Sequence, residues 1–134
     1  MEQMEFSQDH LQIMMEMQEK LQQRLGYDFK SLDPVGRTAL IKEFSIHISQ
    51  EINEMLYELP FFKPWKDYSN MKPSEIYAGY EKGKKEFIDF FHFMLNVALL
   101  LELTSKDLFE AYIEKNLENY KRQEEGYTHD VSYR

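Results

Sequence analysis

The feature that most constrains this chain is an apolar periodicity running without a break through Leu40, Ile41, Phe44, Ile48, Ile52, Met55, Leu56 and Leu59, opened by Asp33-Pro34 and closed by Pro60. Asp followed by Pro reads as an N-cap with Pro at the first helical position, so the spacing predicts one helix of about seven turns. Beside the apolar stripe runs an acidic one, Glu51, Glu54 and Glu58, with no Lys or Arg between Lys42 and Lys63. A solvated stripe ordinarily intersperses basic residues at i,i+4, so their absence points to a site. A second acidic pair follows in Glu86-Phe87-Ile88-Asp89. Each of the pairs Glu51/Glu54 and Glu86/Asp89 places two carboxylates on one helix face, with Cβ atoms about 5–6 Å apart. If the two helices pack antiparallel, four negative charges share one small volume, which is unfavourable unless cations occupy it. Hard oxygen ligands suit Mg²⁺ or Mn²⁺. With 24 Asp and Glu among 134 residues, a solvated helix face is the alternative for either pair alone.

A chain of 134 residues fits one domain, here 1–134, and its 43% hydrophobic and 15% aromatic content is that of a folded protein. Five Gly and four Pro favour long regular elements, and the expected class is all-α, a four- to five-helix bundle. The net charge of −8 disfavours non-specific binding to nucleic acid or to an anionic membrane. An anionic substrate therefore needs metal ions or a local basic cluster. The lack of cysteine excludes disulfides, a thiolate nucleophile and Cys-ligated zinc. The acidic start, Met1 to Asp9, does not read as a signal peptide, and the longest apolar run, Phe93 to Leu101, is too short to span a bilayer and is interrupted by Asn96. A cytoplasmic protein is the simplest expectation.

Ahead of the long helix, Leu11, Met14, Met15, Leu21 and Leu25 recur at helical spacing from Ser7, the expected N-cap, to about Arg24, and Gly26 ends the run. Gln18 and Gln22 stand one turn apart on it, either as surface helix formers or as amides able to read the edge of a base. After it, the segment Pro60 to Pro73 is a loop by its prolines, yet carries Phe61, Phe62, Trp65 and Tyr68. Trp65 is placed either to close over a substrate base or to plug the bundle or a subunit interface. Ser74 opens a short helical turn, Gly79 and Gly83 flank a hinge-like segment, and a third helix is expected over roughly Lys84 to Leu103. This helix is apolar almost all round and so should be central. His92 and Asn96 continue the Asp89 stripe, His92 reading as a hydrogen-bonded core histidine rather than a ligand. Thr104-Ser105 with Asp107 resembles a capping box opening a fourth helix. On that helix Lys115, Asn119 and Arg122 share a face that can donate to phosphate oxygens, Gly126 is the stop, and a flexible tail is expected from about residue 128.

Taken together, Gln18, the ExxE of Glu51/Glu54, the FKPW segment from Phe62 to Trp65, the ExxD of Glu86/Asp89 with His92-Phe93, and the N-x-x-R-Q-x-x-G-Y run from Asn119 to Tyr127 resemble the all-α nucleoside triphosphate pyrophosphatases. Their order is most similar to that of the dimeric dUTPases. The resemblance implies a helical homodimer in which Glu51, Glu54, Glu86 and Asp89 hold Mg²⁺ ions, with hydrolysis of dUTP to dUMP and pyrophosphate. It implies that Glu54 orients the attacking water, that Lys115, Asn119 and Arg122 contact phosphate, that Tyr127 meets the deoxyribose, and that Gln18, His92 and Trp65 meet the base. Where family members tend to carry Asn or Asp one turn after the helix-one glutamine this chain has Gln22, which leaves dCTP or another dNTP open, as in the related MazG-type enzymes. A di-iron carboxylate bundle needs Glu-x-x-His pairs, and the sequence contains none. The non-enzymatic alternative is a helical interaction module whose acids lie on its surface.

Overall fold

The computed structural model describes residues 9–126, and within them the chain forms four α-helices and no strand. Helix α1 runs His10–Arg24, α2 Pro34–Glu58, α3 Pro73–Leu100 and α4 Ser105–Glu124, with a single 3-10 turn at Phe29–Ser31. Local chemistry sets most of these boundaries. The Asp33 carboxylate accepts from Gly36 N at 2.7 Å with Pro34 next in line. Thr104 and Asp107 close a reciprocal capping box at 3.1 and 2.9 Å. Gly26 (φ 96°) and Gly126 (φ 85°) take the left-handed conformation that lets a helix end. The cap of α1 is Asp9, which accepts from Gln12 N, rather than Ser7, which lies outside the described residues. Asp9 wins because it also accepts from Ser105 Oγ, tying the start of α1 to the start of α4.

Helices α2 and α3 pack antiparallel along their whole length. Gly79 meets Glu58 and Pro60, Gly83 meets Leu59 and Met55, Phe93 meets Phe44, and the Leu100 carbonyl meets Arg37. Helix α3 is continuous from Pro73, so the expected short turn, hinge and later helix are one element ending three residues short of Leu103. The glycines do not break it. A Cβ on Gly79 would lie 2.8 Å from the Glu58 carbonyl oxygen, and one on Gly83 would lie 3.0 Å from a Leu59 methyl. Both glycines are therefore contact points that let the two backbones approach.

The core lies at the Leu100 end. Met15 packs on Leu95 and Ala98, and Phe29 and Phe44 pack around Leu100, which is 0% exposed. Arg37 latches that end by donating to the carbonyls of Leu100 and Phe29, each at 2.8 Å. Helix α3 is not covered all round as expected: Phe87, Ile88 and Met94 are about half exposed, and Asp89 is exposed. One chain does not supply enough neighbours to cover both ends. Helix α4 leaves α3 with a change of direction of 101°. It packs through Leu108, while Phe109, Tyr112, Leu117 and Tyr120 are exposed. No single described helix is long and apolar enough to cross a membrane.

Candidate metal and nucleotide site

The register set by Gly79 and Gly83 carries Glu51 and Glu54 of α2 to Glu86 of α3. One carboxylate oxygen from each of these three residues lies within 4.8 Å of the others. Asp89 is near enough for its charge to act on both Glu51 and Glu86. The cost of this crowding falls on Glu51. Burial first, then the hydrogen bond and charge of Glu54, then Asp89 and Glu86, push its carboxyl up to about 7. Glu86 is raised as well, by burial and by the charges of Glu54 and Asp89. Glu51 Oε2 is buried and has no hydrogen-bond partner among the described residues. A buried carboxylate oxygen without a donor is destabilising in a closed protein, but it is what a hard cation requires. The donor set therefore fits Mg²⁺ or Mn²⁺.

Gln18 and Gln22 are not surface helix formers: they are 3% and 7% exposed, and with Met15 they are the buried residues of α1. Leu21, Leu25 and Met14 stand outside instead. Gln18 reaches His92, with 2.6 Å between Gln18 Oε1 and His92 Nδ1, and donates from Nε2 to Asn96 Oδ1 at 2.8 Å. His92 is the exposed member of this group. Gln18 and His92 are the polar side chains lining a cavity of about 510 Å³ whose other walls include Met14, Met17, Leu21 and Phe91. Asn96, 1% exposed, was not among the residues expected at the site. Its signal is an amide one turn after His92 inside the most apolar run of the chain.

Of the remaining expected residues, the basic face of α4 is not brought to the acids within one chain. Trp65 is 76% exposed in a loop braced by Phe61 against Tyr68 and by Phe62 against Tyr57. Lys115 and Arg122 each pair with Glu118 of their own helix, and Asn119 is exposed. Because α4 turns off through 101° some three to four helical turns beyond Glu86 and Asp89, helix rise alone puts its basic face roughly 20–30 Å from the acids. Tyr127 lies outside the described residues.

Comparison with known proteins places this geometry. A family model described as dUTPase matches residues 10–105, a span that includes all four acids, Gln18 and His92. The dCTP pyrophosphatase of Enterobacteria phage LZ5 is 32% identical over 89% of this chain and 83% of its own length. The dCTP pyrophosphatase of Enterobacteria phage T4 is 30% identical over the same shares. No solved structure matches. With a family match across most of its length and two such relatives, the chain belongs to the dUTPase family of nucleoside triphosphate pyrophosphohydrolases.

Proposed function

We propose that this chain hydrolyses a pyrimidine deoxynucleoside triphosphate to the monophosphate and pyrophosphate, with Mg²⁺ held by Glu51, Glu54, Glu86 and Asp89. The observation that carries the reading is the partnerless, buried Glu51 oxygen within a converging set of acids. When bound, the metal neutralises phosphate oxygens and assists in-line attack by water. Glu54 is the exposed member of the three converging acids, and it orients that water. The apolar cavity beside Gln18 and His92 takes the base, with Gln22 behind it and Trp65 free to close over it. Because the basic face of α4 lies far from the acids within one chain, Lys115, Asn119 and Arg122 would supply phosphate donors from a second copy, with Tyr127 giving the deoxyribose contact.

A homodimer fits the same observations. The exposed Met17, Leu21, Phe87 and Ile88 form an apolar face that one copy leaves open, and a second copy would cover it. The family model points to dUTP and both relatives carry the name dCTP pyrophosphatase, so cytosine and uracil are the bases to compare, with dCTP placed first. The test is pyrophosphate release from dCTP, dUTP, dTTP, dATP and dGTP with Mg²⁺, repeated with chelator. Metal-dependent release from dCTP or dUTP is expected. Preferential cleavage of a purine nucleotide, or undiminished cleavage with chelator, overturns the reading. Light scattering on the active protein should return twice the chain mass.

A further inference from the structure

The buried amides of Gln18 and Asn96 take no part in the metal chemistry described above, and together with His92 they form a directed chain. Asn96 Oδ1 accepts from Gln18 Nε2 at 2.8 Å, which commits the NH₂ end of Gln18 inward. Its carbonyl end then faces His92 Nδ1 at 2.6 Å. A carbonyl oxygen only accepts, so Nδ1 must carry the proton. A neutral imidazole has one N–H, and Nε2 is left as a bare acceptor. Gln18 and Asn96 are sealed at 3% and 1% exposure, whereas His92 reaches solvent at the cavity between α1 and α3.

We propose that Gln18 and Asn96 are positioning residues which hold neutral His92 in its Nδ1–H form, so that Nε2 meets the substrate base as an acceptor and favours an amino-bearing edge, as in cytosine, over a carbonyl at the same point. The inference deepens the pyrimidine reading of this cavity and rests on it. A carbonyl set against a bare lone pair leaves two acceptors facing each other with no proton between them, and that base is refused. Reversing the preference requires both amides to turn together, because a reversed Gln18 alone would set its carbonyl against Asn96 Oδ1. Asn96 is the further end of the switch although it touches no substrate.

The test reads the ring directly. Long-range ¹⁵N–¹H correlation spectra of the full chain at about pH 8, above the ordinary histidine range near 6.5, separate the two neutral forms, with His92 assigned from His92→Asn. The wild-type protein should give protonated Nδ1 and bare Nε2. Asn96→Ala frees the Gln18 amide, so His92 should move toward the Nε2–H form that a free imidazole prefers. The ratio of kcat/KM for dCTP over dUTP should then fall about tenfold, or about 1.4 kcal/mol. Gln18→Met, which removes the acceptor for Nδ1–H, should release the ring toward the Nε2–H form in the same way. A wild-type spectrum with protonated Nε2 overturns the proposal, as does a tautomer change in Asn96→Ala that leaves the ratio where it was. Should Asn96→Ala fail to fold, the wild-type spectrum and Gln18→Met decide in the same way. Absence of any nucleotide cleavage by the wild-type protein would remove the pyrimidine reading, while the spectrum would still report on the amide chain.

Discussion

The two ends of α3 differ in composition, polar and glycine-bearing at Gly79 and apolar at Leu100, and they solve opposite problems. At the Leu100 end the polar groups are answered: Arg37 donates to two carbonyls, the amide of Asn96 meets Gln18, and apolar side chains close around them. At the Gly79 end two helices approach closely and then present acids to one another, leaving a Glu51 oxygen unanswered beside exposed Phe87 and Ile88. Stability is concentrated where every group has a partner, and chemistry where one is missing. The comparison predicts that substitutions at the two ends separate activity from stability.

The largest expected effect is at the open end. Glu54→Gln and Asp89→Asn should each lower hydrolysis on the order of 10²–10⁴-fold, the range for loss of a positioned acid–base group. Without metal their melting temperatures should not fall, because each removes one charge from a crowded set that already raises Glu51. A variant turning over near the wild-type rate would take that acid out of the site. At the closed end the pattern inverts. Leu100→Ala empties a fully buried position and should cost about 2–5 kcal/mol in denaturant unfolding. Its metal-dependent turnover per folded molecule should stay within a few-fold of wild type.

Toward the start of α3, beyond the acids, stands Gly79, where the close approach of the helices sets the register of the acids. Gly79→Ala puts a methyl 2.8 Å from the Glu58 carbonyl oxygen, backbone that cannot swing aside, so α2 and α3 must separate. A loss of about 1–3 kcal/mol is expected, as for overpacking elsewhere. The Mg²⁺ concentration for half-maximal activity should rise in parallel. A variant with lower stability but an unshifted metal requirement would break the link between the glycine contact and the carboxylate geometry.

Much of the fold was legible because it is written in local chemistry. Asp33-Pro34, Thr104 with Asp107, and the two helix-ending glycines act within a few residues of themselves, and each sits where its pattern puts it. The approach of Glu51, Glu54 and Glu86 was legible too, since i,i+3 spacing fixes a face and antiparallel packing of neighbouring helices brings the faces together, whereas Asp89 stands outside that group. What was misread depended on partners distant in sequence. Asp9 rather than Ser7 caps α1 because Ser105, 96 residues away, shares its carboxylate. Gly79 and Gly83 looked like a hinge because glycine is poor in helices, and only the Glu58 carbonyl beside Gly79 and the Leu59 side chain beside Gly83 show why a side chain is disfavoured there. Gln18 and Gln22 left two readings open, surface helix formers or base-reading amides, because α1 keeps amides on its inner face and leaves Met14, Leu21 and Leu25 outside, an inversion that no periodicity rule anticipates.

The smallest effect is the one that sharpens the comparison most, because it assigns the strain of the open end to a single carboxyl. Glu51 stands at about 7 in the folded chain against an ordinary 4.5. Between those values the folded state binds the proton and the unfolded chain does not. Stability from this group is therefore complete below about 4.5 and is lost as pH rises through about 7. The metal-free melting temperature should fall across that window and level off above it. Asp9, through its hydrogen bonds from Ser105 and then Gln12 N, and Asp107, through those with Thr104, lie below their ordinary value of 3.8, so their own losses come only as pH falls further and do not overlap. Mg²⁺ requires the deprotonated carboxylate, and its stabilising effect should grow over the range where the metal-free protein weakens, with proton release on binding near pH 7. Glu51→Gln should flatten the metal-free slope and abolish the proton release together. A slope that survives in Glu51→Gln would move the strain to Glu86, the other acid raised by burial and by its neighbours.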